Sequence, residues 1–183
     1  MSQDSGTARP LRTLVLGGAR SGKSTFAEQL ASDAGAVRYL ATSVPDPDDH
    51  DFAERIARHR ERRPGDWIVV ESADAAAVLA DPAPSAATLI DDIGTWLTAR
   101  IDALDAWDSP RGTVTPDADA LVSAVDAYRD RLIIVSPEVG MGVIPATRSG
   151  RLFRDEIGLL NQRLAAACDE AFLVVAGLPL RLK

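Results

Sequence analysis

Gly17-Gly18-Ala19-Arg20-Ser21-Gly22-Lys23-Ser24 is the stretch that decides the fold. It fills every fixed position of the G-x-x-x-x-G-K-[ST] phosphate loop, the Walker A pattern. Glycines let the backbone curl until successive N–H groups converge on phosphate oxygens. The helix that follows turns its positive N-terminal end toward the same anion. In that arrangement Lys23 reaches the β- and γ-phosphates and Ser24 offers its hydroxyl to Mg²⁺. A chance glycine turn is the alternative. Against it stands the context: residues 13–16 are an apolar run that stops at the glycines, and residues 23–34 read as a helix stopped by Gly35.

Outward from this loop, strand-like and helix-like segments alternate. Residues 37–41 read as a second strand, and 48–63 as a charged helix ended by Pro64-Gly65. Residues 67–70, 88–91 and 131–135 read as three more strands, and 146–168 as mainly helical. Residues 172–176 and 179–182 close the chain as two strands around a tight turn at Gly177. Residues 105–117, rich in Asp, Pro and Gly, form a surface loop between helices, suited to variable length or mobility. This alternation predicts an α/β protein of single-domain P-loop NTPase type: a mostly parallel sheet with helices on both faces. The phosphate loop then lies at the carboxyl end of the first strand, where such sheets bind ligands.

Composition narrows the partners. At 183 residues there is room for one core and little more. Hydrophobic residues at 46% and charged residues at 26% suit a soluble globular protein. No apolar run is long enough to span a bilayer, and residues 1–10 lack a signal peptide's apolar core. They read as a disordered leader before a domain of residues 11–183. The single cysteine, Cys168, is read as a buried small hydrophobe and suits a reducing cytoplasm. A net charge of −7 argues against a nucleic-acid surface, so an anionic ligand must be held by local features.

Leu89-Ile90-Asp91-Asp92 supplies an apolar strand ending in acids. Asp91 follows the apolar run directly, which makes it the candidate Mg²⁺ carboxylate beside Ser24. Its alternative role is the N-cap of a helix starting near Ile93. Of the two histidines, His50 and His59, the second sits among arginines. Arg55, His59, Arg62 and Arg63 share one helical face by their spacing, a face that suits a triphosphate. Neighbouring cations disfavour imidazolium and would keep His59 neutral and nucleophilic. The plainer alternative is a solvated basic helix. Glu138 stands either as a second acid near Mg²⁺ or as a pin for its glycine-rich loop. Trp67, Trp96 and Trp107 read as packing residues.

Several motifs together resemble a known family. They are the phosphate loop, Tyr39-Leu-Ala-Thr-Ser43, Arg55-Ile-Ala-Arg-His59-Arg and Ile90-Asp91 with Thr95-Trp96-Leu97. Glu138-Val-Gly-Met-Gly-Val-Ile-Pro145, Phe153-Arg-Asp155 and Asn161-Gln-Arg-Leu-Ala-Ala-Ala167 complete the set. The chain resembles the bifunctional adenosylcobinamide kinase/adenosylcobinamide-phosphate guanylyltransferases of cobalamin biosynthesis. The resemblance implies phosphorylation of adenosylcobinamide by ATP or GTP. It further implies that a histidine, here His59, takes GMP from GTP and passes it to the cobinamide phosphate, giving adenosylcobinamide-GDP. Lys23 and His59 would be the catalytic residues. Nucleotide contacts would fall on Gly17, Gly18, Ala19, Arg20, Ser21, Gly22, Lys23, Ser24 and Thr25, then on Ala41, Thr42 and Ser43. They would extend to Arg60, Glu61, Arg62, Arg63, Glu71 and Asp91, with Ser24 and Asp91 on the metal. A cytoplasmic homotrimer is also implied. Two positions depart from the family: Pro137 where Asn is common, and Ala146-Thr147-Arg148 where Glu-Asn-Arg is frequent. Two other functions fit a phosphate loop, a small-molecule kinase without guanylyl transfer and a GTP-binding switch.

Overall fold

The computed structural model describes residues 12–33, 35–42, 65–81 and 86–183. Seven strands form one sheet among them: β1 (Arg12–Gly17), β2 (Val37–Ala41), β3 (Ile68–Glu71), β4 (Ala87–Asp91), β5 (Arg131–Pro137), β6 (Glu170–Val175) and β7 (Leu178–Arg181). Their order is β3-β2-β4-β5-β1-β6-β7. All neighbours run parallel except β7, which returns antiparallel to β6. The described helices are α1 (Lys23–Ser32), α2 (Ala75–Ala80), α3 (Ile93–Ala103), α4 (Thr115–Ala127) and α5 (Arg148–Ala167).

The central strands β1, β2, β4 and β5 are buried on both faces, as parallel sheets require, while the edge strands β3 and β7 are largely exposed. Period-two alternation sorts their side chains. Val15, Tyr39, Leu89, Ile133 and Val174 pack with Ala27 and Ala31 of α1. Leu14, Leu40, Ile90 and Ile134 face the other way, against α2, α3, α4 and α5. Each fully buried leucine or isoleucine contributes ~1.5–3 kcal/mol of transfer free energy, so the two layers hold the sheet firmly. Trp67 and Trp96 are core residues, and Trp67 stacks on Tyr39 at 6.1 Å between ring centroids. Cys168 is buried, and burial pushes its thiol up to about 12, so it is a neutral hydrophobe at physiological pH.

Two sequence readings shift. α2 lies where no helix was assigned; Asp74 caps it by accepting from the Ala77 N–H at 3.0 Å. The expected loop 105–117 ends early, because Thr115–Asp117 form the first turn of α4. Proline fits a first turn, where its missing N–H costs nothing, and Asp117 favours the positive helix end. That loop is also tied to α5: Arg148 donates to the Trp107 and Ser109 carbonyls at 2.8 and 3.0 Å, and buried Glu156 accepts from the Gly112 N–H at 2.6 Å. In the sheet, β5 lies between β4 and β1. The leader and the helix expected over 48–63 fall outside the described residues.

Candidate nucleotide site

The carboxyl ends of the parallel strands share one edge of the sheet. Ala41 is in register with Glu71 on one side and Asp91 on the other, and Gly17 with Pro137. The phosphate loop leaves this edge from β1, as its sequence requires. Arg20 and Gly22 both adopt the left-handed backbone region, with φ of 58° and 93°. Glycine does so at no steric cost, whereas Arg20 carries about 1–2 kcal/mol of strain at the loop's tip. Gly22 caps α1, and Lys23, Ser24 and Thr25 begin its first turn. The loop therefore presents backbone N–H groups and a helix N-terminus to one concave space. Lys23 Nζ is 3.5 Å from the Gly18 carbonyl, folded over the loop it would share with a phosphate.

Alternation on β4 separates the two acids. Asp91 lies on the Leu89 face, the face that α1 covers, and its Oδ1 is 3.2 Å from Ser24 Oγ. Tyr39, two residues before Ala41 on the same face, donates its hydroxyl to Asp91 Oδ2 at 2.9 Å. Asp92 points the other way and caps α3, accepting from the Thr95 N–H at 2.8 Å. The capping role considered for Asp91 thus belongs to its neighbour. Asp91 reaches Ser24 although a whole strand separates β4 from β1, because α1 crosses the face between them.

A hydroxyl and a carboxylate converging at the mouth of the loop are the hard oxygen donors that Mg²⁺ takes, usually alongside waters and substrate phosphates. No cluster of three or more His, Cys, Asp or Glu stands among the described residues, so no all-protein metal cage is formed there. The donor set suits a cation that arrives with its nucleotide.

The other sequence candidates divide. Glu71 ends β3 in an exposed position on the same edge. Thr42 is buried, and its hydroxyl donates to the Asp92 carbonyl at 2.6 Å, leaving its backbone as the part that could meet a nucleotide. Ser43, His50, His59, Arg60, Glu61, Arg62 and Arg63 lie outside the described residues. Glu138 accepts from the Gly140 N–H at 2.6 Å, the pinning role. Its own N–H donates to the Gly17 carbonyl at 3.1 Å, joining this loop to the phosphate loop. Arg154 supports it from below, donating to the Gly140 and Gly142 carbonyls at 2.7 and 3.2 Å. Sequence reasoning gave no role to Tyr39 or Arg154. The alternation that aims Asp91 at α1 aims Tyr39 there as well, so that signal was readable.

A model of the cobinamide kinase / cobinamide phosphate guanyltransferase family matches residues 13–182. The chain belongs to that family. Membership explains the site, since a kinase and a guanylyltransferase both begin from a bound nucleoside triphosphate. Among curated relatives, the bifunctional adenosylcobalamin biosynthesis protein CobU of Salmonella typhimurium is 40% identical over 180 residues, 93% of this chain and 98% of that one. The bifunctional adenosylcobalamin biosynthesis protein CobP of Pseudomonas aeruginosa is 39% identical over 176 residues, 94% and 98% of the two chains. Among solved structures, a prototypical ATPase from the type III secretion system of pathogenic bacteria has a TM-score of 0.57, covering 94% of this chain and 57% of that chain. At 12% identity it shares the fold alone.

Proposed function

We propose that this protein is a bifunctional transferase of cobalamin biosynthesis, acting on adenosylcobinamide and then on its phosphate. The observation that carries this reading is the family match across residues 13–182. In the first reaction a hydroxyl of adenosylcobinamide attacks the γ-phosphorus of ATP or GTP, and the nucleoside diphosphate leaves with the bridging oxygen. Phosphoryl transfer of this kind depends on positioning and on cations around the phosphates. Gly17 to Thr25 hold the phosphates and Lys23 spans the β and γ groups. Ser24 and Asp91 would hold Mg²⁺, which offsets phosphate charge when bound.

In the second reaction a nitrogen of His59 attacks the α-phosphorus of GTP and expels pyrophosphate. The imidazole loses its proton as the P–N bond forms. The phosphate of cobinamide phosphate then attacks the same phosphorus, breaks the P–N bond and leaves as adenosylcobinamide-GDP. Two easier displacements replace one between two anions. Arg60 to Arg63, Glu71 and the backbone of residues 41–43 complete the nucleotide contacts in this reading. We further infer a cytoplasmic homotrimer, by resemblance. No helix among the described residues is long and apolar enough to cross a membrane, which is compatible with that setting.

Incubation with α-labelled GTP tests the reading. Label retained after denaturation, labile in acid and stable in base, is the expected result and marks a phosphoramidate. A kinase without guanylyl transfer, or a GTP-binding switch, would retain none. The metal assignment has its own test. Asp91→Asn keeps the shape and removes the charge, so Mg²⁺ titrations of kinase activity should shift by about 10- to 100-fold in apparent affinity. An unchanged Mg²⁺ dependence would remove Asp91 from the metal.

A further inference from the structure

The last two strands meet in a two-residue turn, with Val175 paired to Leu178 and Ala176-Gly177 between them. Both turn residues have positive φ, 52° and 79°. This is the mirror-image turn whose twist matches a right-handed hairpin, and glycine or asparagine normally fills it. The turn is pressed against the phosphate loop. Gly177 N–H donates to the Ser21 carbonyl at 2.7 Å. A Cβ on Gly22 would lie 3.1 Å from Gly177 Cα, and one on Gly17 would lie 2.9 Å from the Val174 carbonyl oxygen. The hairpin thus touches both fixed glycines of the loop.

The Ser21 carbonyl and the Gly22 N–H belong to one planar peptide unit, which is trans. In such a unit the two groups point in opposite directions. Holding the carbonyl toward the hairpin therefore aims the Gly22 N–H away from it. Released from that bond, the unit could rotate, because a glycine follows it and tolerates either sign of φ. A rotated unit would place a carbonyl oxygen where a phosphate oxygen belongs.

We propose that the β6–β7 turn is a positioning element of the phosphate cradle: the Gly177 N–H, by holding the Ser21 carbonyl, orients the Gly22 N–H toward bound phosphate. This rests on the reading of the loop as the nucleotide site. It assigns the carboxyl-terminal hairpin a part in substrate binding, although its side chains bring no donor to the site.

The single cysteine allows a test at one atom. A recombinant thioester ending at residue 167 can be ligated to a synthetic 168–183 peptide, because residue 168 is Cys168, and the product refolded. Glycolic acid at position 177 replaces the N–H by an ester oxygen and leaves every side chain unchanged; the weaker ester carbonyl this creates at Ala176 has its counterpart in the control. The control carries an ester at Leu182, whose N–H donates to the Ala171 carbonyl at 2.8 Å in the same hairpin. With a fluorescent GTP analogue, the 177 ester should raise Kd by about fivefold to tenfold, the loss of one aligned hydrogen bond. The 182 ester should leave Kd unchanged while lowering Tm as much as the 177 ester does. Wild-type Kd in the 177 ester, or equal weakening in both esters, overturns the proposal.

Recombinant Gly177→Ala gives a second route that needs no refolding. A Cβ there meets no atom within 4 Å, so only the φ of +79° opposes it. It should weaken the analogue's binding likewise, whereas Ala176→Gly, which suits the same turn, should not. Equal affinity in both variants overturns the proposal. Failure of the ligated wild-type chain to bind the analogue would instead strike at the nucleotide site itself, and the positioning role would fall with it.

Discussion

Lys23→Ala should lower kcat/KM for both cobinamide phosphorylation and guanylylation by on the order of 10²–10³. Removing one preorganised cation or donor from a developing charge has that scale, and each decade corresponds to about 1.36 kcal/mol of barrier. Both reactions should fall together because both start from a triphosphate in one loop. Stability should hardly change. Lys23 Nζ approaches the Gly18 carbonyl at 3.5 Å, the outer limit of a hydrogen bond. Lys23→Arg should not restore the rate, since a planar fork cannot occupy the place of a compact ammonium at the base of a curled backbone. Guanylylation at the wild-type rate in Lys23→Ala would mean that the two activities use different triphosphate sites.

The elements nearest the phosphate loop were legible because their signals are local. An apolar run, two fixed glycines and a lysine dictate β1, the turn and α1 without help from the rest of the chain. The hairpin of β6 and β7 was legible for the same reason, through Gly177. Strand order was not. Nothing in residues 87–91 says that β5 will lie between β4 and β1, since insertion of a strand is decided by contacts far apart in sequence. α2 escaped because Asp74 and the short alanine-rich run after it carry little amphipathic pattern, although the cap itself was readable.

The site divides along the same line. Asp91 could be proposed from an apolar run ending in acids. Its separation from Asp92 needed the two faces of β4: one covered by α1 with Ser24, the other by α3 with its N-cap. The Gly177 contact with Ser21 joins residues 156 positions apart, through backbone groups that every residue but proline carries, so no residue type announced it. The arginine-rich stretch around His59 is the reverse case. There the sequence and the family resemblance supply the proposed chemistry, and the described residues supply the phosphate loop alone.

His59→Asn should abolish the acid-labile GMP adduct and the formation of adenosylcobinamide-GDP, while cobinamide phosphorylation persists at least in part. The two chemistries ask different things of the protein. Guanylyl transfer through a covalent intermediate needs a nitrogen with a free lone pair, and the amide of asparagine has none to offer. Phosphoryl transfer to an alcohol needs aligned oxygens and cations around the phosphates, and Lys23, Ser24 and Asp91 remain in His59→Asn. The separation should appear as two readouts on one sample: no label retained from α-labelled GTP, yet label from γ-labelled triphosphate still transferred to cobinamide. His50→Asn is the matched control. That histidine precedes the arginines in an acidic segment, so its replacement should leave both readouts near wild type. An adduct that survives His59→Asn, or one that disappears in His50→Asn, would move the nucleophile elsewhere. Loss of both activities in His59→Asn, with the protein still folded, would instead mean that His59 belongs to the triphosphate-binding surface that both reactions share.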